Sequence, residues 1–151
     1  MHLFESSQLI PHPLPQIAET NQLIGECFLN QGMNGEARAM FLDCYNMRKL
    51  FFSMDQLVIA ESMINIIRAR GGRPERSLAI YSNAMEVYKE YLSDNHVQIG
   101  HLLVYEGDVH AELLDFSTAV DRYHKAGAIF LNTFGEGHIV EAVILGEEFL
   151  L

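Results

Sequence analysis

Apolar side chains recur along this chain every three or four positions, the period of a helix with one buried side, and no segment alternates with the period of two that marks a strand. Ile17, Leu23, Ile24, Cys27 and Phe28 predict a first helix over about 16–31, stopped by Gly32, Asn34 and Gly35. Ala37, Phe41, Cys44, Tyr45 and Leu50 carry a second over 35–52, and a third over 57–69 is closed by Gly71, Gly72 and Pro74. Leu78, Tyr81, Ala84, Val87 and Tyr91 carry a fourth over 75–92. Ser93, Asp94 and Asn95 then break the chain with side chains suited to the start of a helix. Further helices follow over 96–113, 117–134 and 138–151, the last two separated by Gly135, Glu136 and Gly137. Ahead of them all, Pro11, Pro13 and Pro15 each remove a backbone donor and disfavour helix in the residue before, so residues 1–15 read as a lead-in loop. The predicted fold class is all-α.

The helices are not independent of one another. Ala18, Ala60, Gly100 and Ala142 recur at steps of 42, 40 and 42, Ala37, Ser77 and Ala119 at steps of 40 and 42, and His96 and His138 at one step of 42. Separate markers sharing one period define a repeat, with units over about 16–55, 56–95 and 96–137 and a partial unit over 138–151. The second helix of each unit presents a small residue, an aromatic, a small residue and an apolar one. These are Ala37, Phe41, Cys44 and Met47, then Ser77, Tyr81, Ala84 and Val87, then Ala119, Tyr123, Ala126 and Ile129. Small residues let two helices approach, and the aromatic between them fills the gap. Such a unit cannot bury its apolar side alone and must stack on its neighbours.

The run Ala119, Tyr123, Ala126, Ile129, Phe134, Gly135, His138 and Ala142 resembles the tetratricopeptide repeat, specifically the 42-residue variety of kinesin light chains, and the resemblance extends over roughly 14–151. It implies a right-handed α-solenoid of about three and a half stacked antiparallel helix pairs. Their first helices would line a concave surface that holds peptides or partner proteins. Carried over place by place, it implies a partner-binding groove formed by Glu19, Gln22, Glu26 and Asn30, then Glu61, Asn65 and Arg68, then His101, Tyr105, Asp108 and Glu112, with Glu147 from the partial unit. Six acids there face one arginine and one histidine. That balance suits a basic or neutral protein segment with an aromatic or apolar anchor, not the acid-flanked tryptophan peptides that kinesin light chains accept. Of the paired asparagines which that family repeats along its first helices, Asn65 alone has a counterpart, and the Lys and Arg cluster of chaperone-binding tetratricopeptide domains has none.

Composition narrows the function classes. A length of 151 residues suits one domain, and ten basic against twenty acidic side chains, a formal charge of −10, disfavour nucleic acid as partner. Apolar runs such as 57–60 and 142–145 are too short to insert in a membrane, and residues 1–5 show no basic segment leading into an apolar stretch, so the chain reads as intracellular and cytoplasmic. Cys27 and Cys44, seventeen apart, fit neither a disulfide framework nor a zinc site and read as two reduced, packed thiols. The methionines, Met47, Met54, Met63 and Met85 among them, read as core. His96 and His138 share a repeat position and read as loop or capping residues. His101, His110 and His124 form no i, i+4 pair, and His110 with Glu112 lacks the downstream cysteines of a zinc deaminase. Gly135 and Gly137 follow a helix and not a strand, and no Ser or Cys has a recognisable base partner.

The resulting expectation is a non-catalytic interaction scaffold or adaptor with neither metal nor cofactor. Two other readings stay open. The C-terminal region of SET-MYND lysine methyltransferases is similar to this kind of repeat, so the chain could be the helical lobe of a larger enzyme, or else a structural subunit of a large assembly. Leu145, Phe149 and Leu150 have no following helix to cover them, which points either to a piece of a longer protein or to self-association through the C-terminal helix.

Overall fold

Helices α1 Leu14–Asn30, α2 Asn34–Phe51, α3 Gln56–Arg70, α4 Pro74–Tyr91, α5 Val97–Glu112 and α6 Phe116–Leu150 build the computed structural model, which describes residues 14–150, with the side chains of 14, 70 and 136–150 left out. Among the described residues no strand occurs, and no helix is long and apolar enough to cross a membrane. Two boundaries differ from expectation. α1 begins at Leu14, with Pro15 in its first turn, where the missing N–H has no helical acceptor to lose and the fixed φ suits the helix. The last two expected helices are separated by Gly135 alone (φ 78°, ψ 167°), because helical geometry resumes at once after it.

The described structure divides between Gly72 and Arg73 into two compact units, a boundary that falls inside the expected 56–95 repeat. In the first unit α1 packs on α2 and α2 on α3, around Ala37, Phe41 and Ala69 with Phe28, Leu29 and Ile66 against them. The α1–α2 hairpin is closed by a glycine facing a ring, since a Cβ built on Gly25 would lie 2.5 Å from Phe41 Cε1. In the second unit α4 packs on α5 and α5 on α6. There the same pairing recurs, with a Cβ on Gly107 placed 2.6 Å from Tyr123 Cε1.

This close approach corrects the expected buried side of α1. Ile17, Leu23 and Ile24 are exposed, Leu23 by 62%, and Cys27 is exposed as well, while Ala18 and Gly25 are buried. Bulk set the apparent period, but only small residues fit where one helix lies directly on the next. Of the two thiols Cys44 alone is packed, and burial pushes it above the ordinary thiol range despite the nearby Arg48. Met85 is buried, whereas Met54, 92% exposed, and Met63 lie at the surface and not in the core. Leu50, expected to help carry α2, is exposed as well.

Turns and caps follow local chemistry. Gly32 (φ 77°) and Leu114 (φ 62°) end α1 and α5 in the left-handed region, at matching places of the two hairpins, and Gly71 (φ 57°) does the same for α3. Asp55 caps α3 by accepting from the Val58 N–H at 3.2 Å. His96 caps α5 through Nδ1, which accepts from the Gln98 N–H at 3.2 Å, in agreement with its reading as a capping residue. His138 lies among the residues whose side chains are not described.

Candidate functional site

The expected groove residues of the first unit occupy one stripe on α1 and one on α3, and side-chain hydrogen bonds join the two. Gln22 Nε2 donates to Glu61 Oε1 at 3.2 Å. Arg68 Nη1 donates to Glu26 Oε1 at 2.9 Å and to Asn65 Oδ1 at 3.3 Å. Asn65 is buried, Gln22, Glu26, Glu61 and Arg68 are half-buried, and Glu19 and Asn30 are exposed at the ends of the α1 stripe. A half-buried guanidinium between a carboxylate and an amide is a charge-assisted contact held in one geometry by two helices. This seam is therefore preorganised.

Arg48, from α2, belongs to the same seam and was not among the expected residues. Its Nη1 donates to Ser62 Oγ at 3.0 Å and stands 4.0 Å from Glu61 Oε2. Ser62, itself buried, donates its hydroxyl to the Val58 carbonyl in a hydrogen bond of 3.0 Å. Glu26 thus faces Arg68 and Glu61 faces Arg48, so the seam is closer to charge balance than the count over first helices alone suggested. That count omitted the second helix of the pair.

In the second unit His101, Tyr105, Asp108 and Glu112 lie along one side of α5. The His101 ring stands 5.2 Å from Phe130, and the Tyr105 ring 6.2 Å from Tyr81. Asp108 accepts from the Tyr123 hydroxyl at 2.6 Å, and this bond to the carboxylate pushes the phenol up to about 12. Glu112 is exposed. Glu147, expected from the partial unit, lies outside the described side chains.

A different side of α5 floors a groove of about 890 Å³ walled by α4 and α6, and none of the expected groove residues lines it. Met85, Leu103 and Ile129 give it an apolar bed beside Glu106, Arg122 and Lys125. Glu106 is 12% exposed and stands 3.1 Å from Arg122 Nε. Burial raises its carboxyl above the ordinary range, and Arg122 offsets only part of that rise. Glu106 precedes Arg122 by sixteen positions, the offset that also joins Gly25 to Phe41 and Gly107 to Tyr123. That shared hairpin offset was the available signal for the pair.

His110 and Asp115 close the α5–α6 turn, with Nδ1 3.3 Å from Oδ2. Asp115 also accepts from the Thr118 N–H at 3.4 Å and from Ser117 Oγ at 3.3 Å. Its bonds to Thr118 foremost hold its carboxyl below the usual range.

No family model matches this chain, and no curated protein matches its sequence.

Proposed function

We propose that the chain is a non-catalytic scaffold of tetratricopeptide type, a right-handed stack of helix pairs that recruits another protein by holding one of its segments along the polar faces of the first helices. The observation that carries this reading is the seam of α1 and α3, where Gln22, Glu26, Glu61, Asn65 and Arg68 are fixed against one another by hydrogen bonds. Residues held in this way recognise a partner without having to be ordered first, which lowers the cost of binding. Recurrence of the glycine-to-ring contact at Gly25 and Gly107 supports a modular scaffold, since each pair then presents an equivalent first helix.

With Glu26 and Glu61 facing arginines, the exposed Glu19 and Glu112 remain as the acids that attract a basic or neutral segment, while the rings of His101 and Tyr105 offer a bed for its apolar or aromatic anchor. The test is affinity capture from a cytoplasmic extract with the wild-type chain and a Glu19→Lys/Glu112→Lys variant, whose changes touch exposed positions only. Loss of the captured protein in the variant supports the proposal. Equal recovery by both chains contradicts it.

A further inference from the structure

We propose that the exposed side of α1 in one molecule packs on the exposed side of α6 in a second copy, so that the chain associates head to tail. The pattern for this contact lies inside the chain. α2 packs both on α1 and on α3, whereas α6 packs on α5. Phe41 of α2 and Tyr123 of α6 each meet the glycine sixteen positions earlier. Phe41 is 1% exposed, sharing a core cluster with Ala69 of α3 against which Ile66 also packs. Tyr123, with no such helix over it among the described residues, is 37% exposed.

The open side of α6 is apolar along its length. Phe116, Val120, Tyr123, Leu131 and Phe134 are all exposed, and with Gly127 they follow one another every three or four residues. That spacing sets them on one side of the helix, and a continuous exposed apolar row marks a surface meant to be covered.

The α2–α3 contact selects what covers it. One side of α3 carries Ile59, Ser62, Ile66 and Ala69, of which Ser62 accepts from Arg48 of α2 and the last two join the Phe41 cluster. Forty-two positions earlier, the period read from the sequence, α1 carries Ile17, Thr20, Ile24 and Cys27, and all four are exposed. The chain's own residues 138–151 stand 82 positions beyond 56–69, but they place Glu141 and Glu148 where α3 has Ile59 and Ile66. Two carboxylates against an apolar row are costly, whereas α1 of a second copy brings Ile17 and Ile24. Neither row contains a charged residue, so apolar side meets apolar side.

Glu19, Gln22, Glu26 and Asn30 form a different stripe of α1, so this surface is separate from the proposed partner groove. The row from Ile17 to Cys27 is about 15 Å long at the rise of a helix. One such helix pair is small beside the roughly 1,200–2,000 Å² that stable complexes bury, so the association is weak and needs high concentration. Its two surfaces differ, so dimers extend into longer species unless a ring closes.

Sedimentation velocity on the chain at rising concentration tests this, with two variants changed at exposed positions, Ile17→Glu/Ile24→Glu on α1 and Val120→Glu/Phe134→Glu on α6. The wild type should form dimers and larger species, and each variant alone should weaken that association about tenfold or more. Mixed in equal amounts, the variants should form a one-to-one pair that grows no further, because each keeps the surface that the other has lost. Should either variant fail to fold by circular dichroism, oxidation of a Tyr123→Cys chain decides. A disulfide between copies through Cys27, abolished by adding Cys27→Ser, is then expected. A wild-type chain that stays monomeric, as it does if residues 138–151 cover α6 themselves, overturns the proposal. So do association that persists in either variant, a mixture that fails to pair, and absence of the disulfide.

Discussion

Gly107 and Tyr123 meet so closely that the glycine has no room for a side chain, and Gly25 and Phe41 repeat that relationship in the first unit. The same contact thus closes one hairpin in each of the two compact units. It also separates glycines that are needed from one that is not. Gly25→Ala and Gly107→Ala should each lower stability by about 1–3 kcal/mol, because the added methyl must displace a packed ring. Gly127, inside α6 with nothing within 4 Å of its Cβ position, should gain about 0.5–1 kcal/mol on substitution by Ala. Chemical denaturation of the three variants checks both signs.

Leu114 occupies the turn place that Gly32 holds in the first hairpin, at φ 62° and with 74% of its surface exposed. A branched side chain in the left-handed region is strained, and this one recovers little by burial. Leu114→Gly should therefore raise the stability of the chain by up to about 1 kcal/mol, partly offset by the greater freedom of glycine in the unfolded state. Thermal unfolding measures the change.

Burial holds the proton on Glu106 more tightly in the folded chain than in the unfolded one. Its contribution is thus fully present below the ordinary carboxylate range and is lost as pH rises through the raised folded value. Glu106→Gln removes that loss. Melting temperatures of the two chains measured from acid to neutral pH should diverge, with the variant gaining on the wild type as pH rises.

Tyr123 donates to Asp108 and is pushed up to about 12, so one of the six tyrosines should ionise late in an alkaline absorbance titration. Tyr123→Phe should remove that late step. Asp108→Asn should move it back toward the ordinary tyrosine range, because the carboxylate that holds the proton is gone.

Helix positions were legible because periodicity and punctuation agree, as at Gly32, Gly71 and the 93–95 break. The buried side of α1 was not. Leu23 and Ile24 signalled a core face by bulk, whereas Ala18 and Gly25 pack beside the expected Phe28, a choice visible only once the distance between helices is known. For the candidate site, the stripes of Glu19 to Asn30 and Glu61 to Arg68 were what the family resemblance implied, and their hydrogen bonds were not legible. Arg48 reaches the seam from a helix that the repeat pattern assigns to the other layer, and Glu106 finds Arg122 across a hairpin whose offset emerges from contacts already in hand.

Glu26 and Arg68 stand 42 positions apart, the period read from the sequence, and their side chains meet at 2.9 Å across α1 and α3. A double-mutant cycle on Glu26→Ala and Arg68→Ala, read by urea denaturation, measures whether equivalent places of successive first helices touch in solution. A coupling of about 0.5–1 kcal/mol, with Glu26→Arg/Arg68→Glu recovering most of what either reversal loses, is the expected result. Additive single effects with no recovery in the swap would contradict the stacked-repeat architecture.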